Sequence, residues 1–156
     1  MDLKVRTILK TTLRSLIALG LCTFAISSAL AQNDFVQAAA KEPGAKVTAS
    51  GLVFRSLQDG QGISPMATDK VRVHYRGTFP DGKEFDSSYK RNQTIEFPLN
   101  GVIPCWTEGV QLMKVGGKAK LTCPPAIAYG SRGAGGVIPP NATLQFEVEL
   151  VAVAGK

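Results

Sequence analysis

The sequence predicts an α+β domain in which a twisted antiparallel sheet of five or six strands wraps over one short α-helix. Three observations lead to this prediction. Several short segments alternate between apolar and polar residues with the period of two that half-buried strands show. One segment alone has the spacing of an amphipathic helix. Turn residues separate these segments at short intervals, and no internal repeat or composition shift indicates a second domain.

The first 31 residues have the features of a secretory signal peptide. A basic front precedes an uncharged apolar run, and the small residues Ala29 and Ala31 offer a cleavage site. An uncleaved membrane anchor is the alternative, because no charge stands between Arg14 and Asp34. The uninterrupted apolar run is shorter than the roughly 20 residues that a membrane-spanning helix needs. We therefore expect cleavage after Ala31, a periplasmic or secreted protein, and no stable membrane insertion.

Removal of this segment changes the charge of the chain. The formal net charge falls from +6 to +3, because the segment carries four basic residues and one aspartate. A charge this modest, without a stripe of basic and aromatic residues, argues against nucleic-acid binding. Residues 32–48 are polar and Ala-rich with a Pro-Gly break, and we expect them to form a flexible N-terminal tail. The folded domain is expected to occupy residues 49–156.

The first half of this domain has the pattern of strands. GLVFRSLQDG is extended and ends at an Asp-Gly turn, and DKVRVHYRGTF alternates between an apolar and a polar face. His74, the only histidine, falls on the polar face, so we interpret it as a solvated strand residue and not as a catalytic base. The Pro-Asp-Gly turn of FPDGKEFDSS predicts a hairpin whose second arm carries Phe85 and Asp86. TIEFPLN is a further short strand.

The second half contains the helix and the longest loop. PCWTEGVQLMKVGG places Trp106, Val110 and Met113 at helical spacing and ends at a glycine pair, which is typical of a short helix. KAKLTCP and ATLQFEVELVAV alternate as strands. Between them lies PPAIAYGSRGAGGVIPPN, which is rich in Gly and Pro. Loops of this length in a compact domain tend to be functional.

Two cysteines, Cys105 and Cys123, remain after the signal peptide is removed. An even pair in an exported protein favours a disulfide, although two buried free thiols are the alternative. Closing a loop of this length would contribute roughly 3 kcal/mol. The two cysteines lie too far apart for a CxxC motif and no His/Cys cluster accompanies them, so we expect neither thiol chemistry nor a metal site.

Motifs of the common catalytic classes are missing from the sequence. The glycine runs match no nucleotide-binding pattern and no hydrolase constellation occurs, so no cofactor is expected. Aromatic and aliphatic residues accumulate instead at the ends of elements and in loops, which predicts an apolar pocket with a few polar groups. These residues are Tyr75, Phe85, Val102, Ile103, Trp106, Tyr129, Ile138 and Phe146.

The segments VHYRGTFPDGKEFDSSY, VIPCWTEGVQLMKVGGKAKLTCPPAIAYG and GGVIPPNATLQFEVELVAV resemble the FKBP-type peptidyl-prolyl cis-trans isomerases, the macrolide-binding immunophilins. The resemblance covers about residues 50 to 153, with the motifs in the family's order. FPLNGVIPCWTEGVQLM is most similar to the exported bacterial branch. That branch often adds a long N-terminal dimerisation helix, and because none is recognised here the resemblance implies a monomer.

The resemblance implies a role for each matching residue. Trp106 matches the floor of the family's pocket, Asp86 its buried carboxylate and Arg91 the arginine that pairs with it. Ile138 belongs to the loop that overhangs the opening, and Ile95 stands where many members have an aromatic wall. Cys105 and Cys123 replace a common glycine and a common aliphatic residue, and their joint appearance favours the disulfide. The walls match Tyr75, Phe85, Val102, Ile103, Tyr129 and Phe146.

The implied activity is rotation about X-Pro bonds during the folding of exported proteins, by non-covalent stabilisation of the twisted amide in an apolar pocket. Catalytic roles fall to Asp86, Tyr129, Tyr75 and Phe146, and the remaining pocket residues bind substrate. Proline-containing polypeptides are the implied partners and macrolides the implied inhibitors. A proline-recognising chaperone or partner-binding module with incidental turnover is the alternative function.

Overall fold

The structure, a computed structural model, describes residues 31–156. The expected signal peptide therefore lies outside the described residues except for Ala31. The compact unit Phe35–Lys156 contains the sheet. Within the described residues no helix has the length and apolar character needed to cross a membrane.

Seven strands of the described chain form one antiparallel sheet. Its spatial order is β1-β2-β6-β7-β3-β4, and β5 pairs with β3 beyond the end of β4. The predicted α+β class and antiparallel sheet are confirmed, with one strand more than the upper limit of the prediction. The strands are β1 (Ala45–Val47), β2 (Val53–Gln58), β3 (Lys70–Thr78), β4 (Glu84–Ser87), β5 (Ile95–Pro98), β6 (Lys118–Cys123) and β7 (Leu144–Val153).

The segment expected to be a flexible tail has regular structure, which corrects that expectation. A helix, α1, covers residues 31–40, and β1 adds to the edge of the sheet beside β2. Three consecutive alanines favour the helix, because alanine has the highest helix propensity. The Glu42 carboxylate binds Arg55 and Lys120 and thereby attaches the turn between α1 and β1 to the sheet. The Pro43-Gly44 break ends the helix, yet the chain beyond it stays ordered as β1.

The two long central strands, β3 and β7, define the inner and outer faces of the sheet. Their alternation has the predicted phase, since Val73 and Tyr75 of β3 are buried opposite Leu150 and Val148 of β7. The outer face is polar, but His74 is less solvated than expected. Its ring stacks on Tyr89 at a centroid distance of 4.7 Å, and its Nδ1 lies 2.9 Å from a buried serine hydroxyl.

A short helix, α2 (Pro104–Gln111), packs on the inner face of the sheet. It begins with a proline, whose missing N–H costs nothing in the first turn. It ends before the predicted glycine pair, because the amides of Leu112 and Met113 bond to carbonyls only three residues back. Gly109 lets the helix approach β6, since a Cβ at this position would lie 2.8 Å from the methyl groups of Leu121.

A disulfide between Cys105 and Cys123 joins the first turn of α2 to the end of β6. Their Cα atoms are 5.8 Å apart, within the usual span of such a bridge. Both side chains are fully buried. The covalent link therefore holds the N-terminal end of α2 against the sheet.

Candidate functional site

A cavity of about 500 Å³ opens at the N-terminal end of α2. Nine of the residues singled out in the sequence line it, together with Phe97 and Gly101, which were not among the predicted site residues. Phe97 could have been found, because it stands two residues after Ile95 on the same face of β5. The lining consists of Tyr75, Phe85, Asp86, Ile95, Phe97, Gly101, Val102, Ile103, Trp106, Tyr129 and Phe146.

Two of the predicted site residues do not line this cavity. Arg91 lies behind the lining and reaches it only through its hydrogen bonds to Asp86 and Tyr75. Ile138 is 9 % exposed, packs in the hydrophobic core and is not among the residues that line the cavity. The long loop folds back on itself through a pair of backbone hydrogen bonds between Ala134 and Ile138, and this leaves Val137 as the exposed apolar residue at its tip.

Trp106 forms the floor of the cavity and is 5 % exposed. The rings of Tyr75 and Phe146 meet it edge-on, each at a centroid distance of 5.3 Å, and Phe97 lies at 5.5 Å. Edge-to-face pairs of this kind are favourable beyond the area that they bury. The indole N–H has no hydrogen-bond partner among residues 31–156. Aromatic packing, and not hydrogen bonding, therefore fixes the floor.

Phe85 forms a wall that depends on a glycine beneath it. Its ring meets Phe146 edge-on at 5.6 Å and Phe79 at 5.0 Å. Gly77 lies in β3 opposite both Asp86 and Phe146, and a Cβ at this position would lie 2.5 Å from Cζ of Phe85. The absence of a side chain at Gly77 is what allows the Phe85 ring to lie against the sheet.

Asp86, whose side chain is 42 % exposed and therefore less buried than the family resemblance implies, is held by three donors at the polar side of the cavity. Its Oδ2 accepts a hydrogen bond from the Tyr75 hydroxyl, and its Oδ1 accepts from the Arg91 guanidinium and from the Ser87 amide N–H at 2.8 Å. Arg91 also donates to the Tyr75 hydroxyl at 2.9 Å. The β3–β4 pairing creates this cluster, because it sets Asp86 opposite Gly77 and brings it beside Tyr75.

These contacts determine the protonation state of the pair. Burial acts to raise the pKa of Asp86, but the hydrogen bonds from Tyr75 and Arg91 outweigh it and hold that pKa below its ordinary value. Burial and the hydrogen bond to Asp86 raise the pKa of Tyr75. At neutral pH Asp86 is therefore an oriented carboxylate without a proton to give.

Two hydrogen-bond donors at the rim are unused within the described part of the protein. Tyr129 is 38 % exposed, and its hydroxyl bonds to no other residue in the range 31–156. Ile103 caps α2 through its carbonyl, which accepts the amide N–H groups of Trp106 and Thr107, while its own N–H makes no backbone hydrogen bond there. A polar ligand group at the mouth of the cavity would satisfy both donors.

An antiparallel sheet packed on α2, with a cavity lined mainly by aromatic and aliphatic side chains and two unused donors at its rim, is the architecture of a domain with a preformed binding pocket. A sequence model of the family described as "FKBP-type peptidyl-prolyl cis-trans isomerase" matches residues 61–151. The chain belongs to this family, which confirms the resemblance found in the sequence.

Curated relatives and solved structures support the same assignment. The "FKBP-type 22 kDa peptidyl-prolyl cis-trans isomerase" of Escherichia coli K12 is 52 % identical over 119 residues, covering 76 % of this chain and 58 % of the relative. The "Peptidyl-prolyl cis-trans isomerase Mip" of Coxiella burnetii is 47 % identical over 122 residues, covering 78 % and 53 %. The crystal structure of FkpA from Escherichia coli superposes with a TM-score of 0.80 at 41 % identity, covering 96 % of this chain and 70 % of that one. The chain spans about half the length of the curated relatives that it matches.

Proposed function

We propose that this protein is a peptidyl-prolyl cis-trans isomerase that accelerates rotation about X-Pro bonds in exported polypeptides. The observation that supports this most directly is the aromatic cavity floored by Trp106, with free donors from Ile103 and Tyr129 at its rim. A pyrrolidine ring is a small apolar group flanked by two peptide carbonyls, and the cavity offers complementary chemistry to both parts.

Rotation about an X-Pro bond must cross a barrier of about 18–20 kcal/mol, because the planar amide gains resonance that the twisted amide loses. The planar amide also separates more charge between its nitrogen and its oxygen. A dry, apolar cavity therefore disfavours the planar ground state relative to the twisted state, and no covalent bond to the protein is needed. A barrier lowered by about 5 kcal/mol gives an acceleration of several thousand-fold.

Each group at the site has a part in this mechanism. Trp106, Tyr75 and Phe146 hold the pyrrolidine ring by burying it. The Ile103 amide and the Tyr129 hydroxyl donate to the carbonyls that flank the prolyl bond and hold the peptide while the bond turns. Asp86 acts as a fixed negative charge beside the turning carbonyl and positions Tyr75, since its lowered pKa leaves it no proton to transfer.

The exported setting is part of the proposal. The segment before residue 32 has the pattern of a signal peptide, and a buried disulfide is the chemistry of oxidising compartments such as the periplasm. We therefore propose folding proteins of the periplasm or the cell exterior as the clients, a monomer as the working form, and macrolides as ligands of the same cavity.

A protease-coupled isomerisation assay on a short X-Pro peptide tests the proposal. We expect a rate enhancement that Trp106→Leu reduces at least tenfold while a circular-dichroism spectrum verifies that the variant is folded. If the protein leaves the prolyl bond at its spontaneous rate yet still suppresses aggregation of an unfolded client, the alternative of a proline-recognising chaperone replaces the isomerase.

A further inference from the structure

A second cavity lies at the opposite end of α2 from the aromatic one. Its volume is about 350 Å³, and β1, β2, β6 and the chain after α2 enclose it. We call it the lysine groove. The lining is Lys46, Phe54, Ser56, Gln58, Asp59, Gly60, Gln61, Leu112, Met113, Lys114, Gly117, Lys118 and Ala119.

The walls of the lysine groove are held in place by the backbone. The turn after α2 bonds to the β2–β3 loop, with the Gly62 amide donating to the Val115 carbonyl and the Val115 amide donating to the Ile63 carbonyl, each at 3.0 Å. The Gln58 side chain donates to the Gly116 carbonyl at 3.1 Å. At Gly60 there is no room for a Cβ against the Lys114 carbonyl. The groove is therefore preformed.

The lysine groove carries positive charge, and part of this charge has no counter-ion within the described residues. Three lysines and one aspartate line the groove. The Lys118 ammonium lies on the outer face of the sheet, where it forms an ion pair with Glu149 at 3.4 Å and lies over the ring of Tyr89, whereas neither Lys46 nor Lys114 forms an ion pair with any residue in the range 31–156. Asp59 accepts a hydrogen bond from the Ser56 hydroxyl at 2.6 Å. Two unpaired ammonium groups on one concave surface attract a ligand that carries carboxylates.

The floor and rim of the groove are apolar. Phe54 and Met113 are buried at its base, whereas Leu112 is 51 % exposed at the edge. The Gln61 side-chain amide at the rim has no partner within the described residues. A ligand that fits must therefore combine carboxylates, an apolar side chain and groups that bond to an amide. An extended polypeptide segment with acidic residues beside an apolar one has all three.

We propose that the lysine groove is a second polypeptide-binding site, which takes an extended acidic segment and uses Lys46 and Lys114 as its charge contacts. This second site deepens the proposed function. It rests on that function in one respect, because the acidic segment belongs to the same client polypeptide whose proline occupies the aromatic cavity. The two cavities lie at opposite ends of an eight-residue helix. Such a helix is about 12 Å long, a distance that roughly four extended residues span.

Occupation of both cavities by one client raises the local concentration of its proline at the aromatic cavity. A substrate that carries an acidic segment several residues from its proline should therefore have a KM about tenfold lower than the same peptide with Gln and Asn in place of the acidic residues. Its kcat should be the same, because the lysine groove does not touch the prolyl bond.

The decisive experiment uses a fluorescent acidic peptide that contains leucine and no proline, with its Gln/Asn analogue as comparison. Fluorescence anisotropy should show that the acidic peptide binds about tenfold more tightly than its analogue, and Lys46→Gln/Lys114→Gln should weaken the binding of the acidic peptide about five- to tenfold. The control, Lys70→Gln/Lys83→Gln, removes the same charge at the start of β3 and in the turn between β3 and β4, where neither lysine lines the groove, and should change affinity less than twofold.

The location is tested by ¹⁵N–¹H spectra of the protein titrated with the same peptide. We expect shifts at the amides of Ser56, Gly60, Lys114 and Gly117 and no shift of the Trp106 indole N–H. Shifts at the aromatic cavity, equal loss of affinity in both double variants, or preference for a single-stranded oligonucleotide or anionic vesicles would each overturn the proposal. Because the peptide lacks proline, the result is independent of whether the protein isomerises prolyl bonds.

Discussion

Cys105 and Cys123 join the first turn of α2 to the last residue of β6, and the residue directly after Cys105 is Trp106, the floor of the aromatic cavity. The bridge thus lies directly behind the site. The aromatic rings around Trp106 restrain its side chain, while the disulfide restrains the backbone that carries it. Two different kinds of contact therefore hold one pocket residue.

The disulfide should stabilise the folded chain by about 3 kcal/mol, because it closes a loop of 18 residues in the unfolded state. We expect Cys105→Ala/Cys123→Ala to lower the free energy of unfolding by about that amount in urea titrations. Reductant should destabilise the wild type to a similar degree and leave the double variant unchanged. A wild type as stable with reductant as without it would contradict the prediction.

Tyr129→Phe should reduce kcat/KM about fivefold to tenfold and leave stability unchanged. Its hydroxyl has no partner in the described part of the chain, so folding loses nothing, while substrate binding loses one hydrogen bond of about 1 kcal/mol. Tyr89→Phe is the matched control, because the Tyr89 hydroxyl donates to Glu149 at 2.9 Å, away from the cavity. Equal kcat/KM for wild type and Tyr129→Phe would exclude the hydroxyl as a substrate contact.

Acid should reduce the contribution of Asp86 to stability. Its pKa in the folded state lies below the ordinary value of 3.8, so the unfolded chain takes up the proton first as the pH falls. The stabilisation is complete at neutral pH and is lost below about pH 5, as the pH passes through the ordinary and then the folded pKa.

Unfolding of wild type and Asp86→Asn, measured in urea from neutral pH to pH 3, reveals this contribution. The variant should be less stable at neutral pH, and the difference between the two proteins should shrink as the pH falls. Glu42, Glu84 and Glu149, whose pKa values are also lowered by their cationic or hydroxyl partners, are present in both proteins, so their effects cancel. A difference that stays constant with pH would mean that Asp86 acts through shape and not through charge.

Much of this fold follows from local pattern. The period of two places Val71, Val73 and Tyr75 on the buried face of β3, and the helical spacing of Trp106 and Val110 places both on the buried face of α2. The local sequence pattern does not predict an element whose structure depends on contacts with residues distant in the sequence. The three-residue strand β1 exists because it pairs with β2, and its own sequence carries no alternation long enough to reveal it.

The candidate site, like the fold, can be predicted from the sequence only in part. Most of its lining could be named from the sequence because those residues match a family's pattern, whereas the position of Ile138 could not. Its side chain turns into the core because the loop closes through the Ala134–Ile138 backbone pair, a contact set by the glycines between and beside these residues. Gly101 has no side chain to signal that its backbone lines a cavity.

Gly77→Ala should disturb the aromatic cavity from behind. The added methyl would lie 2.5 Å from Cζ and 2.6 Å from Cε2 of Phe85, and 3.1 Å from Cε1 of Phe146. Because the backbone of a central strand cannot retreat, the Phe85 ring must move toward the cavity. We expect the free energy of unfolding to fall by about 1–3 kcal/mol and kcat/KM to fall at least tenfold.

Gly101→Ala is the matched control for this prediction. Gly101 also lines the cavity, but its added methyl would meet only Cγ of Pro98 at 3.4 Å, an ordinary contact, and its φ is not in the left-handed region. This variant should keep its stability. Combining Gly77→Ala with Phe85→Leu should recover part of the lost stability, since the smaller side chain relieves the clash. If Gly77→Ala alone keeps full activity, the Phe85 wall does not contribute to catalysis, and the apolar cavity must work through Trp106, Tyr75 and Phe146.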